Sequence, residues 1–109
     1  MTELNLAGWD MNKADEVEWQ PWGSPGSDAR AKVLGSGDGY YICLIEAGTG
    51  YKGDWHEHAH VEMFYLVSGR IRNQGVELET GSGYAAAAGS VHEDFEVLAP
   101  STYLSIFKL

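Results

Sequence analysis

Residues 54–69, DWHEHAHVEMFYLVSG, decide how this chain is read. They set three histidines at alternate positions, His56, His58 and His60, with Glu62 two residues further on. Side chains two apart on an extended chain share a face, whereas on a helix they point nearly opposite ways. Imidazoles at i and i+2 therefore converge on one point only if the segment is extended. His56 and His58 then offer two nitrogens, and Glu62, of the same parity, offers an oxygen. Such donors hold first-row divalent metals at about 2.0–2.2 Å. A further nitrogen can come from His92, the one histidine outside this stretch. It follows a tight Ala-Gly-Ser turn and opens a strand, so its side chain can be aimed across a barrel.

The flanking sequence supports an extended reading. Residues 40–47 (YYICLIEA), 62–69 (EMFYLVSG) and 102–109 (TYLSIFKL) are rich in β-branched and aromatic residues. RIRNQ and VELE, separated by Gly75, read as a hairpin, and ARAKVL as a first strand. YAAAA is bracketed by Gly83 and Gly89 and is too short for an isolated helix, so it reads as extended. HEDFEVL reads as one strand, with Pro100 marking a turn after it. Short strands without helical periodicity predict an all-β sandwich or barrel. In residues 62–67 both alternating faces are apolar, so both are expected to be covered. The core lies on one side. On the other lies either the N-terminal arm or a second copy of the chain, which predicts a homodimer.

The chain has 109 residues and a formal net charge of −9. That length suits one domain. The charge repels phosphate, so neither nucleic acid nor an anionic membrane is an expected partner. Cys43 is the only cysteine. Sitting in an apolar run, it is expected in the core. The N-terminus lacks a basic stretch followed by an apolar one, and no apolar run approaches about 18 residues, so a soluble, cytoplasmic protein is expected. Residues 1–27, with Trp9, Trp19, Trp22 and a PWGSPGS breaker, read as an irregular arm. Residues 28–109 read as the barrel.

The order Gly50-x5-His56-x-His58-x3-Glu62-x6-Gly69 resembles the first motif of the cupin superfamily. Gly81-x5-Ala87-x-Gly89-x2-His92-x3-Glu96 resembles the second, with alanine in place of its proline and glutamate in place of its asparagine. The resemblance implies a cupin β-barrel, that is, a double-stranded β-helix or jelly roll. It implies one divalent transition metal (Fe, Mn, Ni, Co or Zn) on His56, His58, Glu62 and His92. His60 is then expected at the cavity mouth rather than on the metal. Glu96, two strand positions of the same parity beyond His92, is expected to face the cavity and to move a proton as the catalytic group.

Small single-domain cupins include metal-dependent dioxygenases of small ketones and diketones. The function implied is therefore a metal-dependent enzyme on a small keto, enol or diketone-like substrate, with dioxygenase-type C–C cleavage favoured. The alternatives are a non-catalytic or sensory cupin that binds a metal and a small molecule, and a metal-dependent isomerase or lyase.

Overall fold

The computed structural model describes residues 3–109. Residues 1 and 2 of the expected arm lie outside that range. The strands, in chain order, are β1 (Gln20–Pro21), β2 (Ala29–Gly37), β3 (Tyr40–Ala47), β4 (His56–Glu57), β5 (Glu62–Asn73), β6 (Val76–Glu79), β7 (Gly83–Ala86), β8 (Val91–His92) and β9 (Phe95–Lys108). No α-helix occurs among the described residues; a single 3-10 turn spans Ala14–Glu16. The all-β expectation holds, and every strand pair is antiparallel.

Alternation along the strands builds the core. Cys43, Ile45 and Ala47 of β3, Phe64 and Leu66 of β5, and Phe95, Val97 and Tyr103 of β9 all point inward and are buried. The sheet runs β1-β2-β3-β9-β5-β6, β7 pairs with the start of β5, and β4 pairs with β8 alone. β5 and β9 are long and bent, and they form the spine that joins the two ends of the barrel.

Two strand boundaries differ from expectation. β5 does not stop at Gly69, and β9 does not break at Pro100. The two irregularities face each other. Ser68 pairs with Thr102 and Arg70 with Ala99, so Gly69 lies opposite a bulge made by Pro100 and Ser101. A bulge tolerates the missing N–H of proline within a ladder. It also shifts the buried parity of β5, from Phe64 and Leu66 to Ile71. Gly69 has φ 112°, and a Cβ there would come within 2.2 Å of Ser101 Oγ and 2.7 Å of Pro100 O.

The segment expected to be irregular contains β1, which pairs with β2, and Trp22 packs on Phe107 at 5.7 Å between ring centroids. Trp19 receives Arg30 and Lys32 over its ring. Further toward the N-terminus Leu4, Leu6, Trp9 and Met11 are exposed. The outward residues of β5, Met63, Tyr65 and Val67, are 41–48% exposed. Across the ladder Met63 and Tyr65 face Ile106 and Leu104, so the outer face is an apolar stripe.

Gly69→Ala is expected to destabilise the fold by about 2 kcal/mol or more, through positive φ and the clash at the bulge. Gly37→Ala, with open space around its Cβ position, is expected to change stability by less than about 0.5 kcal/mol. Urea denaturation of the two variants measures the contrast.

Candidate metal centre

Four side chains that can donate a lone pair meet at one end of the barrel. Antiparallel pairing of β4 with β8 sets His56 directly opposite His92. The His58 N–H donates to Ser90 O (2.9 Å) and the Gly89 N–H to His58 O (2.7 Å), which ties His58 to the turn before β8. A bend at residues 59–60 then ends the extended run, and Glu62 opens β5. One donor atom each from His56, His58, Glu62 and His92 lies within 4.8 Å of the others. Bonds of about 2.0–2.2 Å place donors roughly 3–4.4 Å apart, so this cluster needs only a few tenths of an ångström of adjustment to surround an ion. His58 and His92 are buried, Glu62 is half-buried and His56 is exposed.

The polar neighbours of the rings decide which nitrogen each histidine offers. A carbonyl oxygen only accepts, so His56 Nδ1–H donates to Asp54 O at 2.9 Å. Ser90 gives its hydroxyl proton to Ala87 O (2.6 Å), so its Oγ accepts from His58 Nδ1–H at 3.0 Å. His56 Nε2 and His58 Nε2 are thereby left as lone-pair donors. His58 Nε2 lies 2.6 Å from Glu62 Oε2. Two lone pairs at that distance need a positive charge between them, either a proton or a metal ion. His92 Nε2–H donates to Asn73 Oδ1. His92 Nδ1 is the one buried side-chain nitrogen or oxygen without a partner among the described residues. An orphaned nitrogen beside three other donors is the chemistry a divalent metal completes, so the residues present fit such an ion.

The cluster opens into a cavity of about 480 Å³, walled by Trp22, Tyr51, Phe64, Tyr84, Phe95, Tyr103 and Phe107. The rings support one another: Phe64 stacks on Tyr84 at 4.6 Å and meets Tyr103 at 4.8 Å between centroids. Burial, with Glu62 nearby, pushes the Tyr84 hydroxyl well above the ordinary phenol range; burial, with Tyr51 and Glu62 nearby, does the same for Tyr103. Both stay protonated donors at neutral pH. Burial lowers His92 below the ordinary histidine value, and His56 and His58 lower it further, against the opposing pull of Glu62.

His60 lines the cavity and is exposed, outside the donor cluster. Glu96 requires a correction. It was expected to face the cavity, but it lies outside it, between Lys52 at 3.4 Å and Arg72 at 3.8 Å. The expectation assumed one strand through His92 and Glu96. Residues 93–94 interrupt it, and Phe95, not Glu96, takes the inward position. Arg72 binds Asp94 through Nε and Nη2 at 2.9 and 3.0 Å. Asn73, a polar residue of the expected hairpin, reaches His92 without any local sequence sign of that contact. Its place just before a Gln-Gly turn signals only the hairpin.

A sequence profile of the ChrR cupin-like domain matches residues 10–108. Comparison with curated proteins finds no significant match. Among solved structures, the chain is similar to a candidate acetylacetone dioxygenase of Methylibium petroleiphilum (18% identity, TM-score 0.83, 99% of this chain and 81% of that one). It is similar to an acetylacetone dioxygenase of Acinetobacter johnsonii (16%, 0.79, 99% and 78%). It is also similar to Rhodobacter sphaeroides anti-sigma ChrR in complex with SigE (18%, 0.70, 88% and 51%). At these identities the likeness shows the fold, a cupin jelly roll.

Two acid-sensitive groups flank the centre. The folded value of His92 lies below the 6.5 of a free histidine, so its contribution to stability is present above pH 6.5 and declines as pH falls through the folded value. The hydrogen bond from Arg72, then that from the Gly75 N–H, hold Asp94 at about 2, down from 3.8. Its contribution is present above 3.8 and is lost as pH falls toward 2. Thermal denaturation of the metal-free protein from pH 8 to 2 should show both declines. Asp94→Asn should abolish the lower one and leave the upper.

Proposed function

We propose that this chain, which belongs to the ChrR cupin-like family, is a metal-dependent enzyme that cleaves a C–C bond of a small, apolar, enolisable dicarbonyl with dioxygen. Both oxygen atoms end in the two fragments. The observation that carries this reading is a three-histidine, one-glutamate cluster at the base of a cavity of about 480 Å³ walled by seven aromatic rings. His56, His58, Glu62 and His92 are the proposed ligands of one divalent ion per chain, with iron favoured over Mn, Ni, Co and Zn for this reaction. Such an ion, when bound, supplies Lewis acidity and, as iron, the means to engage dioxygen.

The chain's own residues account for the rest. The aromatic wall excludes water and accepts a flat apolar ligand. The protonated hydroxyls of Tyr84 and Tyr103 are hydrogen-bond donors for its carbonyl oxygens. A 1,3-dicarbonyl releases its own central proton readily, so no separate buried base is needed. This suits a lining whose side-chain carboxylates are Glu62 and the exposed Asp54 and Glu57. It also removes the need for Glu96, which the fold turns away. The acetylacetone dioxygenase of Acinetobacter johnsonii and the candidate one of Methylibium petroleiphilum align with 99% of this chain, arm included, whereas ChrR aligns with 88%.

ChrR, solved in complex with SigE, favours a second reading, a non-catalytic cupin that binds a metal and a small effector. Oxygen-electrode assays on iron-loaded protein separate the two. The first reading expects one O2 consumed per acetylacetone lost. Tight diketone binding without oxygen uptake by the iron-loaded protein would replace it with the second.

The ligand assignment is tested separately by elemental analysis. His58→Ala should lose most of the metal, and His60→Ala should keep it near one equivalent per chain. Full retention by His58→Ala would overturn the assignment.

A homodimer completes the proposal. The exposed apolar stripe on the outer face of β5 and the exposed apolar residues of the arm call for a partner surface. Sedimentation equilibrium at micromolar concentration should give twice the chain mass of 11.9 kDa. The single-chain mass would refute the dimer.

A further inference from the structure

We infer that Asn73 is a positioning residue of the metal centre. It holds His92 as the Nε2–H tautomer and so makes Nδ1 the nitrogen that this histidine offers. The inference rests on the metal-binding part of the proposed function but not on any reaction.

Asn73 is the last residue of β5, and its Oδ1 lies 2.5 Å from His92 Nε2. An amide oxygen only accepts, so Nε2 carries the proton. The other ring nitrogen is then a lone pair, and it is buried with no partner. His56 and His58 are oriented the opposite way: there Nδ1 carries the proton and Nε2 is free. The centre therefore takes two outer nitrogens from β4 and the turn after it, and one inner nitrogen from β8.

Asn73 reaches His92 because its two neighbours grip the residues that follow it. Arg72 binds the Asp94 carboxylate through two nitrogens. Gln74 Oε1 accepts the backbone N–H groups of Glu93 (2.6 Å) and Asp94 (2.9 Å), and the Gln74 N–H donates to Asp94 O (2.8 Å). The Gly75 N–H adds a bond to Asp94 Oδ2 at 3.0 Å. Three consecutive residues, Arg72, Asn73 and Gln74, thus hold three consecutive residues, His92, Glu93 and Asp94. The Gln74 contacts fix the backbone, the Arg72 contact fixes the Asp94 side chain, and the Asn73 contact fixes the ring. Gln74 and Gly75 have φ of 49° and 77° and form the two-residue turn between β5 and β6. That tight turn brings the clamp into register.

A hydrogen-bond acceptor on the remote nitrogen of a ligating histidine sets its tautomer and raises its basicity, and losing one typically costs 10–100-fold in metal affinity. Two measurements test this, neither of them activity. Long-range 1H–15N spectra of the metal-free protein read the His92 tautomer directly. Zn(II) affinity, by chelator competition at fixed pH, reads the consequence. The wild-type chain should show His92 protonated on Nε2, and added Zn(II) should shift the Nδ1 resonance. Asn73→Leu should give a mixed tautomer and a 10–100-fold weaker Zn(II) affinity. Asn73→Asp, which keeps the acceptor, should restore affinity to within a few-fold. If Asn73→Leu does not fold, the wild-type tautomer and the Asn73→Asp affinity decide. A wild-type His92 protonated on Nδ1 would overturn the inference. So would unchanged affinity in a folded Asn73→Leu, or a folded Asn73→Asp with the affinity loss expected of leucine. Failure of the inference with Zn(II) still bound would leave the proposed function standing; absence of Zn(II) binding by the wild-type chain would sink both.

Discussion

Lone pairs that face one another inside a fold must share a positive charge, and this constraint organises one end of the barrel. His58 Nε2 and Glu62 Oε2 lie 2.6 Å apart, and His56 and His92 each bring a further donor within 4.8 Å. Without a proton or cation between them these groups would repel and would forgo the hydration they have in water. The surrounding structure makes that approach unavoidable. β4 pairs with β8, the turn at 87–90 holds both the backbone and the ring of His58, and the β5–β6 turn clamps the residues after His92.

The remaining architecture follows from keeping this end rigid and open. β5 and β9 run the length of the barrel as paired strands, and their facing bulges at Gly69 and Pro100–Ser101 let them bend without losing register beyond. The bend turns the inner face into a cup. Aromatic rings from β5, β7 and β9, with Trp22 from the arm side, line it above the donors. A cluster of four donors beside a wall of seven aromatic rings is the division of labour expected of a small-molecule site.

Much of this was legible in the sequence, and the failures share a cause. Alternate histidines are readable because side-chain parity is a local property of an extended chain. The same reasoning failed at Glu96, since two unpaired residues after His92 reset the parity, and no residue type there announces the break. His60, expected at the cavity mouth, does lie at the cavity edge, where a bend at residues 59–60 exposes it. Pro100 was read as a strand end because proline lacks a ladder donor; the bulge that excuses it depends on Gly69, 31 positions earlier in the sequence. Asn73 was invisible for the same reason. Its contact with His92 spans 19 residues, and asparagine in a hairpin ordinarily reports a turn. Local alternation made the all-β fold and the shared face of His56, His58 and Glu62 legible, whereas contacts between distant turns decided which groups face the cavity and how the rings are held.

The central claim is that these four side chains form one metal centre. The most direct measurement is a crystal grown with Co(II) and recorded at the cobalt absorption edge. The account predicts a single anomalous peak per chain within about 2.0–2.3 Å of one donor atom from each of His56, His58, Glu62 and His92. A peak held by His60 in place of His92, or no peak at this cluster while cobalt binds elsewhere on the chain, would contradict it.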